Sequence, residues 1–388
     1  MPELRIERFG PIQEASIVFR DLTVLVGPQA TGKSVVLQLL KLLLDTGYVW
    51  EELESYGLDW GRELPDFLDV YFGEGMRSLW RKGESAVVWD GEARDFARLA
   101  GRKPRNHDET LFFIPAQRVL ALRDGWPRPF TDYASGDPYA VRAFSERLRR
   151  FLEREDPDGG KDLFPRPRRM QSEFRGLLEQ HVFGKFGLGI DKQRSQKRLV
   201  LRPGADKLPL PYMVWSAGQR EFVPLLLGLY SIMPASQAPR RGTLRWVVLE
   251  ELEMGLHPRA ISVVLLLVFE LLRRGYRVCL STHSPQVLDA IWAVQQLSRL
   301  KANRGALYEV FGVAARSQTM DNVFTALMKK SFGVYYFDPS GRARDISGLD
   351  PATELSGESG LGGLSEFSGR ASDAVAHAVA NADLGVSD

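Results

Sequence analysis

Short β-type runs occupy residues 4–9 and 15–19, separated by the turn dipeptide Gly10-Pro11. Thr23-Val24-Leu25-Val26 is a short apolar run that stops at Gly27, the pattern of a buried strand. Residues 34–44 then carry strong helix formers and no breaker. Strand, glycine-rich turn and helix thus follow in order. The middle, about 47–210, is less regular. Residues 86–89 and 111–114 read as strands, and 141–154 and 171–183 as helices. Proline- and glycine-rich breaks lie between them at 156–160 and 164–167. No sustained heptad occurs, so no long coiled-coil arm is expected. From about 210 an α/β rhythm returns. Residues 216–233 predict a helix with Pro224 as a kink point, 244–249 a strand, and 258–274 a helix with proline in its first turn. Residues 277–280 predict a strand, 285–297 a helix, and 307–313 and 334–337 terminal strands. After Ile346 the chain turns Gly- and Ser-rich and acidic, the composition of a mobile tail, with a short helix expected at 371–380.

Composition narrows the class. At 388 residues, two to three structural units are expected. The longest apolar run, 261–272, is interrupted by Glu270 and is shorter than the roughly 20 residues a membrane span needs. The N-terminal residues lack the basic-then-apolar order of a secretory signal. Cys279 is the single cysteine, so neither an intrachain disulfide nor a cysteine-based zinc site is available. A soluble cytoplasmic protein is the expectation. The formal charge of +2 excludes a uniformly basic nucleic-acid wrapper, but it sums unlike parts. Residues 140–202 hold 16 Lys and Arg against 9 Asp and Glu, with Arg166, Arg168 and Arg169 in one cluster and Lys192, Arg194, Lys197 and Arg198 in another. Such a lobe fits either DNA phosphates or plain solvation.

The candidate chemistry begins at Gly27-Pro28-Gln29-Ala30-Thr31-Gly32-Lys33-Ser34, a G-x-x-x-x-G-K-S P-loop. Backbone N–H groups must converge on phosphate oxygens there, so glycines stand where a side chain would block approach, and the following helix offers its N-terminal donors. Lys33 can reach the β- and γ-phosphates, and Ser34 can ligate Mg²⁺. Trp246-Val247-Val248-Leu249-Glu250-Glu251 is an apolar strand ending in two carboxylates, one suited to metal (Glu250) and one to polarising water as general base (Glu251). Ser216 is a good N-cap for the helix that holds Gly218 and Gln219. His283 and Gln117 each follow a predicted strand. Taken alone, His283 also reads as structural, and Gln117 as a loop end.

In this order the motifs resemble the ABC-type ATPase core. The resemblance assigns residues 27–34 to Walker A, Gln117 to the Q-loop, and Ser216, Gly218 and Gln219 to the signature. Glu250 and Glu251 become Walker B, and His283 the H-loop. The segment Glu250-Glu251-Leu252-Glu253-Met254-Gly255-Leu256-His257-Pro258, the Thr282-His283-Ser284-Pro285 form of the H-loop, and the long spacing from Ser34 to Ser216 resemble the RecF-like and OLD-like ATPases. Leu252 stands where that group usually has proline, Glu250 where aspartate is usual, and Ala217 where transporter ATPases have glycine. The implied fold is an α/β P-loop NTPase core of ABC type with an N-terminal antiparallel β subdomain and an inserted, partly helical lobe. The core would comprise 1–50, 110–120 and 210–345, the lobe 51–109 and 121–209, and the tail 346–388. The implied activity is ATP hydrolysis, with ATP and Mg²⁺ as cofactors and Glu251, Lys33 and His283 as catalytic groups. Ser34, Gln117 and Glu250 would hold the metal. The implied partners are a second copy that closes the ATP sites and an effector protein, a nuclease or toxin, with DNA on the 140–202 lobe and no membrane. No second acidic cluster of the Toprim kind is seen, so no intrinsic nuclease is expected. His257 falls either near the dimer interface or merely at a helix start. Two other roles stay open: a nucleotide-gated scaffold with little turnover, and a transporter ATPase subunit.

Overall fold

The computed structural model describes residues 1–156, 162–165, 170–184, 186–193, 196–204, 208–233 and 242–348. In chain order, β1 (Glu3–Phe9), β2 (Ile12–Val18) and β3 (Leu22–Val26) lead to α1 (Lys33–Ser55). Then come α2 (Leu64–Phe72), β4 (Ala86–Trp89), β5 (Glu92–Ala93), α3 (Phe96–Gly101) and β6 (Leu111–Ile114). The hairpin β7 (Leu122–Arg123) and β8 (Trp126–Pro127) precedes α4 (Tyr139–Glu155), β9 (Asp162–Phe164) and α5 (Ser172–Leu178). Next are β10 (Gly187–Gln193), β11 (Gln196–Arg202), β12 (Leu210–Pro211) and α6 (Ala217–Ile232). The chain continues through β13 (Trp246–Glu250), α7 (Pro258–Arg273), β14 (Arg277–Ser281), α8 (Pro285–Arg299), α9 (Gly305–Val310), α10 (Gln318–Leu327), β15 (Phe332–Phe337) and β16 (Ala343–Asp345).

The fold is the expected α/β class. Its central sheet has the order β16-β15-β3-β14-β13-β6, parallel except for β16. Strands in such a sheet are buried on both faces, so they read as continuous apolar runs. Val247 and Leu249 of β13, Val278 and Leu280 of β14, and Phe112 and Ile114 of β6 enter one core cluster with α6 and α7. The alternate residues Val248, Cys279, Leu111 and Phe113 enter a second cluster with α1 and β1. The N-terminal antiparallel sheet, β2-β1-β4-β5, shares this second cluster and covers α1. Strand β4, from the segment read as lobe, pairs with β1 in register Ile6↔Val87 and so joins that N-terminal sheet.

One sequence expectation changes. Residues 307–313 predict a strand, but α9 runs from Gly305 to Val310, where Leu307 and Tyr308 are buried. Short apolar runs are ambiguous by periodicity alone. The middle segment, expected to be partly helical, holds α4 and α5 and also an antiparallel sheet, β12-β11-β10-β9, around a hairpin in which Lys192 pairs with Lys197. Helix α6 continues through Pro224 to Ile232. The expected helix at 371–380 and the tail lie outside the described residues, as do Arg166, Arg168, Arg169 and Arg194.

Helix α1 also runs beyond Leu44, by way of a non-helical residue, Asp45 (φ −124°, ψ 29°). The Asp45 carboxylate there accepts the Thr110 and Leu111 N–H groups, both at 2.9 Å, and the Thr110 hydroxyl. Buried Lys41 donates to Asp45 at 2.8 Å, to Glu109 at 3.2 Å and to the Leu111 carbonyl at 2.6 Å. The cluster pins the helix after the P-loop to the start of β6. Lys41→Met removes the cation and leaves buried Asp45 with only the Thr110 and Leu111 donors. Breaking a buried pair in that way costs about 3–5 kcal/mol. Urea unfolding followed by circular dichroism should show the midpoint fall accordingly, and a shift below about 1 kcal/mol would show that the pair adds nothing net.

Candidate functional site

The parallel register brings the motifs together. Leu25 of β3 and Glu250 of β13 both pair with Ser281 of β14, and Ile114 of β6 pairs with Leu249. The strands therefore end on one edge, and the segments that follow them meet there: the Gly27 loop, Glu250-Glu251, Thr282-His283 and Ala116-Gln117. Ligand crevices form at such carboxyl edges in open α/β sheets.

The Gly27 loop needs its glycines. Gly27 has φ +133°, and a Cβ there would lie 2.2 Å from the Phe337 carbonyl oxygen. Gly32 has φ +96°, with a Cβ 2.7 Å from Ile12. Pro28, Gln29 and Ala30 are exposed, and Ala30 is itself left-handed at φ +61°. Lys33 is buried and donates to the Gly27 carbonyl at 2.8 Å and the Pro28 carbonyl at 2.6 Å. Burial pulls its ammonium down to about 8, opposed by the charge of Glu251. The loop borders a cleft of about 310 Å³, whose walls include Thr31, Lys33, Ser34, Glu251 and His283. Pro11, Met76 and Leu79 close its other side, an apolar wall that sequence reasoning missed because it comes from the N-terminal sheet's turn and from the segment before β4.

The two carboxylates differ in environment. Glu250 is buried, accepts the Ala116 N–H at 3.0 Å and hydrogen-bonds Ser34. Burial pushes its carboxyl up to about 7 against those two bonds. Its Oε1 is buried with no hydrogen-bond partner. A buried carboxylate oxygen without a donor, beside a hydroxyl, fits a divalent cation, a hard ion that takes oxygen ligands. Glu251 is half-buried and left-handed at φ +44°, with its N–H donating to the Ser281 carbonyl at 3.0 Å. His283 Nε2 lies 3.6 Å from its Oε1, and this imidazole holds the carboxyl below its usual range, aided by Lys33 and Arg118. The backbone N–H of His283 donates to the Glu253 carboxylate at 2.5 Å.

The remaining candidates stand apart from that cleft. Gln117 is exposed, one residue past Ala116. Ser216 caps α6 in a reciprocal capping box with Gln219. Gly218 packs flush on the loop after β13, where a Cβ would be 2.6 Å from the Gly255 carbonyl. Ser216, Gly218 and Gln219 are not among the residues bordering the P-loop cleft. His257 caps α7, its Nδ1 accepting the Arg259 N–H at 3.3 Å. The residue that sequence reasoning passed over is Arg118. Its side chain is fully buried and donates to the carbonyls of Glu250 (3.0 Å), Glu251 (3.1 Å) and Glu221 (3.1 Å).

Among solved structures, the chain is similar to the SmcHead bound to the C-winged helix domain of ScpA. There the identity is 11% over 88% of this chain and 95% of that one, with a TM-score of 0.40. It is also similar to the recombination mediator protein RecF, solved as RecF-ATPrS in the RecFOR pathway (9% identity, 88% and 97% covered, TM-score 0.38). A third is cbiO1 from Clostridium perfringens, part of the ABC transporter complex cbiONQ (12% identity, 88% and 86% covered, TM-score 0.34). No curated protein matches the chain. A family model matches residues 70–289, more than half of the chain, from α2 through α6, β13 and His283. The chain, with its α/β core and the Gly27 to Ser34 P-loop, belongs to that family, described as "AAA domain, putative AbiEii toxin, Type IV TA system".

Proposed function

We propose that the protein is a magnesium-dependent ATPase that works as a dimeric switch, sensing DNA or controlling an effector in phage defence or DNA maintenance. The observation that carries this reading is the meeting of the P-loop, Glu250, Glu251 and His283 on one sheet edge, with the Ser216 helix start exposed outside their cleft. A site completed by the signature helix of a second, two-fold related copy accounts for both facts.

In this reading the P-loop N–H groups and Lys33 bind the phosphates, and the apolar wall of Met76 and Leu79 takes the base. Ser34 and Glu250 would hold Mg²⁺, which would supply charge neutralisation at the phosphates, and Gln117 would join them only if the cleft closed toward it. Glu251, kept ionised by His283, accepts the proton of the attacking water. His283, held through its N–H by Glu253, faces the γ-phosphate end. ATP then binds the closed dimer better than the open one, which drives closure. The toxin and Type IV toxin–antitoxin system named in the family description support an effector as partner. The basic lobe supports DNA: Lys197 and Arg198 lie on β11, beside Arg123 and Trp126 in one groove. The intended compartment is the cytoplasm. Among the described residues no helix is long and apolar enough to cross a membrane.

Phosphate release from ATP tests the reading. Turnover is expected with Mg²⁺ and should vanish with excess EDTA, returning when Mg²⁺ is restored. Tight ATP binding with no phosphate release would favour the scaffold reading instead.

A further inference from the structure

Arg118 sits where two parts of the site meet. Strand β6 stops at Ile114, opposite Leu249, so the carbonyls of Glu250 and Glu251 lie beyond their neighbouring strand. The Arg118 guanidinium takes its place, with Nη1 on the Glu250 carbonyl and Nη2 on the Glu251 carbonyl. Its Nε donates to the Glu221 carbonyl, inside α6 and two residues past Gln219, and lies 3.6 Å from the Glu221 carboxylate. A planar fork spreads its five donors over three nitrogens in fixed directions and so bridges three carbonyls on separate segments, whereas the three donors of a lysine diverge from one point. A second contact reinforces the first: Gly218 lies against Gly255, and a Cβ on Gly255 (φ +69°) would meet the Glu221 side chain at 3.2 Å. The start of α6 is therefore fastened at two points to the end of β13 and to the loop that follows it.

The consequence is directional. Glu251 faces the P-loop cleft of its own subunit, whereas the start of α6 is exposed outside it. We infer that Arg118 is a positioning residue that makes the end of β13 and the start of α6 one rigid piece, so that a subunit's own ATP-site strand sets the attitude of the signature helix it offers to its partner. The inference rests on the dimeric reading above. It adds that the two sites of the dimer are coupled through one buried side chain in each copy.

A complementation experiment separates the two ideas. One subunit carries Lys33→Ala, with an intact signature helix. The other carries Ser216→Arg, with an intact P-loop. Neither alone should hydrolyse ATP, and the mixture should regain activity at its one complete site. If the mixture stays inactive while wild type turns over, the dimeric reading fails and the coupling falls with it. If the mixture is active, Arg118→Lys is placed in the Lys33→Ala subunit only, where it touches neither the working P-loop nor its Walker B strand. Turnover at the complete site should then fall by about tenfold, within the range seen for residues that couple sites without touching ligand. Affinity of the Ser216→Arg subunit for a fluorescent ATP analogue should be unchanged. Glu221→Gln, which removes only the ion pair and leaves the carbonyl bonds, should show a smaller loss in the same position, and covers the case in which the arginine variant does not fold. Unchanged turnover with both variants folded and dimerising normally would overturn the inference.

Discussion

Lys33→Ala should abolish nucleotide binding. The Lys33 ammonium is buried in the P-loop and is held by the Gly27 and Pro28 carbonyls, at the base of a cleft it shares with Glu251. Burial has lowered its hold on the proton to about 8, and an added phosphate is a partner that would favour the charged form. Truncating one partner of a buried, hydrogen-bonded charge pair costs about 2–5 kcal/mol. At 1.4 kcal/mol per decade, that is about 30- to 4,000-fold in affinity. Titration with a fluorescent ATP analogue reads the loss, with the thermal melt as control for folding. A variant that still bound ATP within threefold of wild type would remove Lys33 from phosphate binding.

Glu251→Gln is expected to keep ATP and lose hydrolysis. The substitution keeps the side-chain shape, the left-handed backbone and the bond from its N–H to Ser281, but it removes the charge that His283 and Lys33 stabilise. Loss of a general base slows the chemical step by about 10²–10⁴-fold. Single-turnover phosphate release separates that step from binding. An unchanged rate would sink the base assignment and turn attention to Glu250. Glu250 differs in kind: it is buried, held up to about 7, and leaves one oxygen free of donors, which suits a metal ligand better than a proton acceptor open to water.

Much of this site was legible in the sequence because its parts are local. A P-loop is eight consecutive residues, and Glu250-Glu251 and His283 each end a strand whose apolar run announces it. What parallel pairing then does is bring those ends side by side, and that follows from the α/β rhythm alone. Arg118 was not legible. Its partners lie more than a hundred residues away, and an arginine after a strand has no local signature. The hairpin β10–β11 was missed for another reason. Its charged residues read as a basic cluster, although Arg198 pairs with Asp191 across the hairpin and Lys197 donates to the Asp156 carbonyl. The long extent of α1 depended on Asp45 and Lys41 finding Thr110 and Glu109, contacts that no periodicity records. Residues 305–310 form a helix where a strand is expected at 307–313, because burial of Leu307 and Tyr308 against α8 and α10 outweighs their β-type composition.

The central claim, that ATP closes two copies on each other, is tested most directly by sedimentation velocity of Glu251→Gln with and without Mg²⁺-ATP, with bound nucleotide followed by absorbance in the same cell. The expected result is a monomer without nucleotide that shifts to a dimer, carrying one ATP per subunit, when Mg²⁺-ATP is added. A protein that binds ATP in full and still sediments as a monomer at every concentration would contradict it.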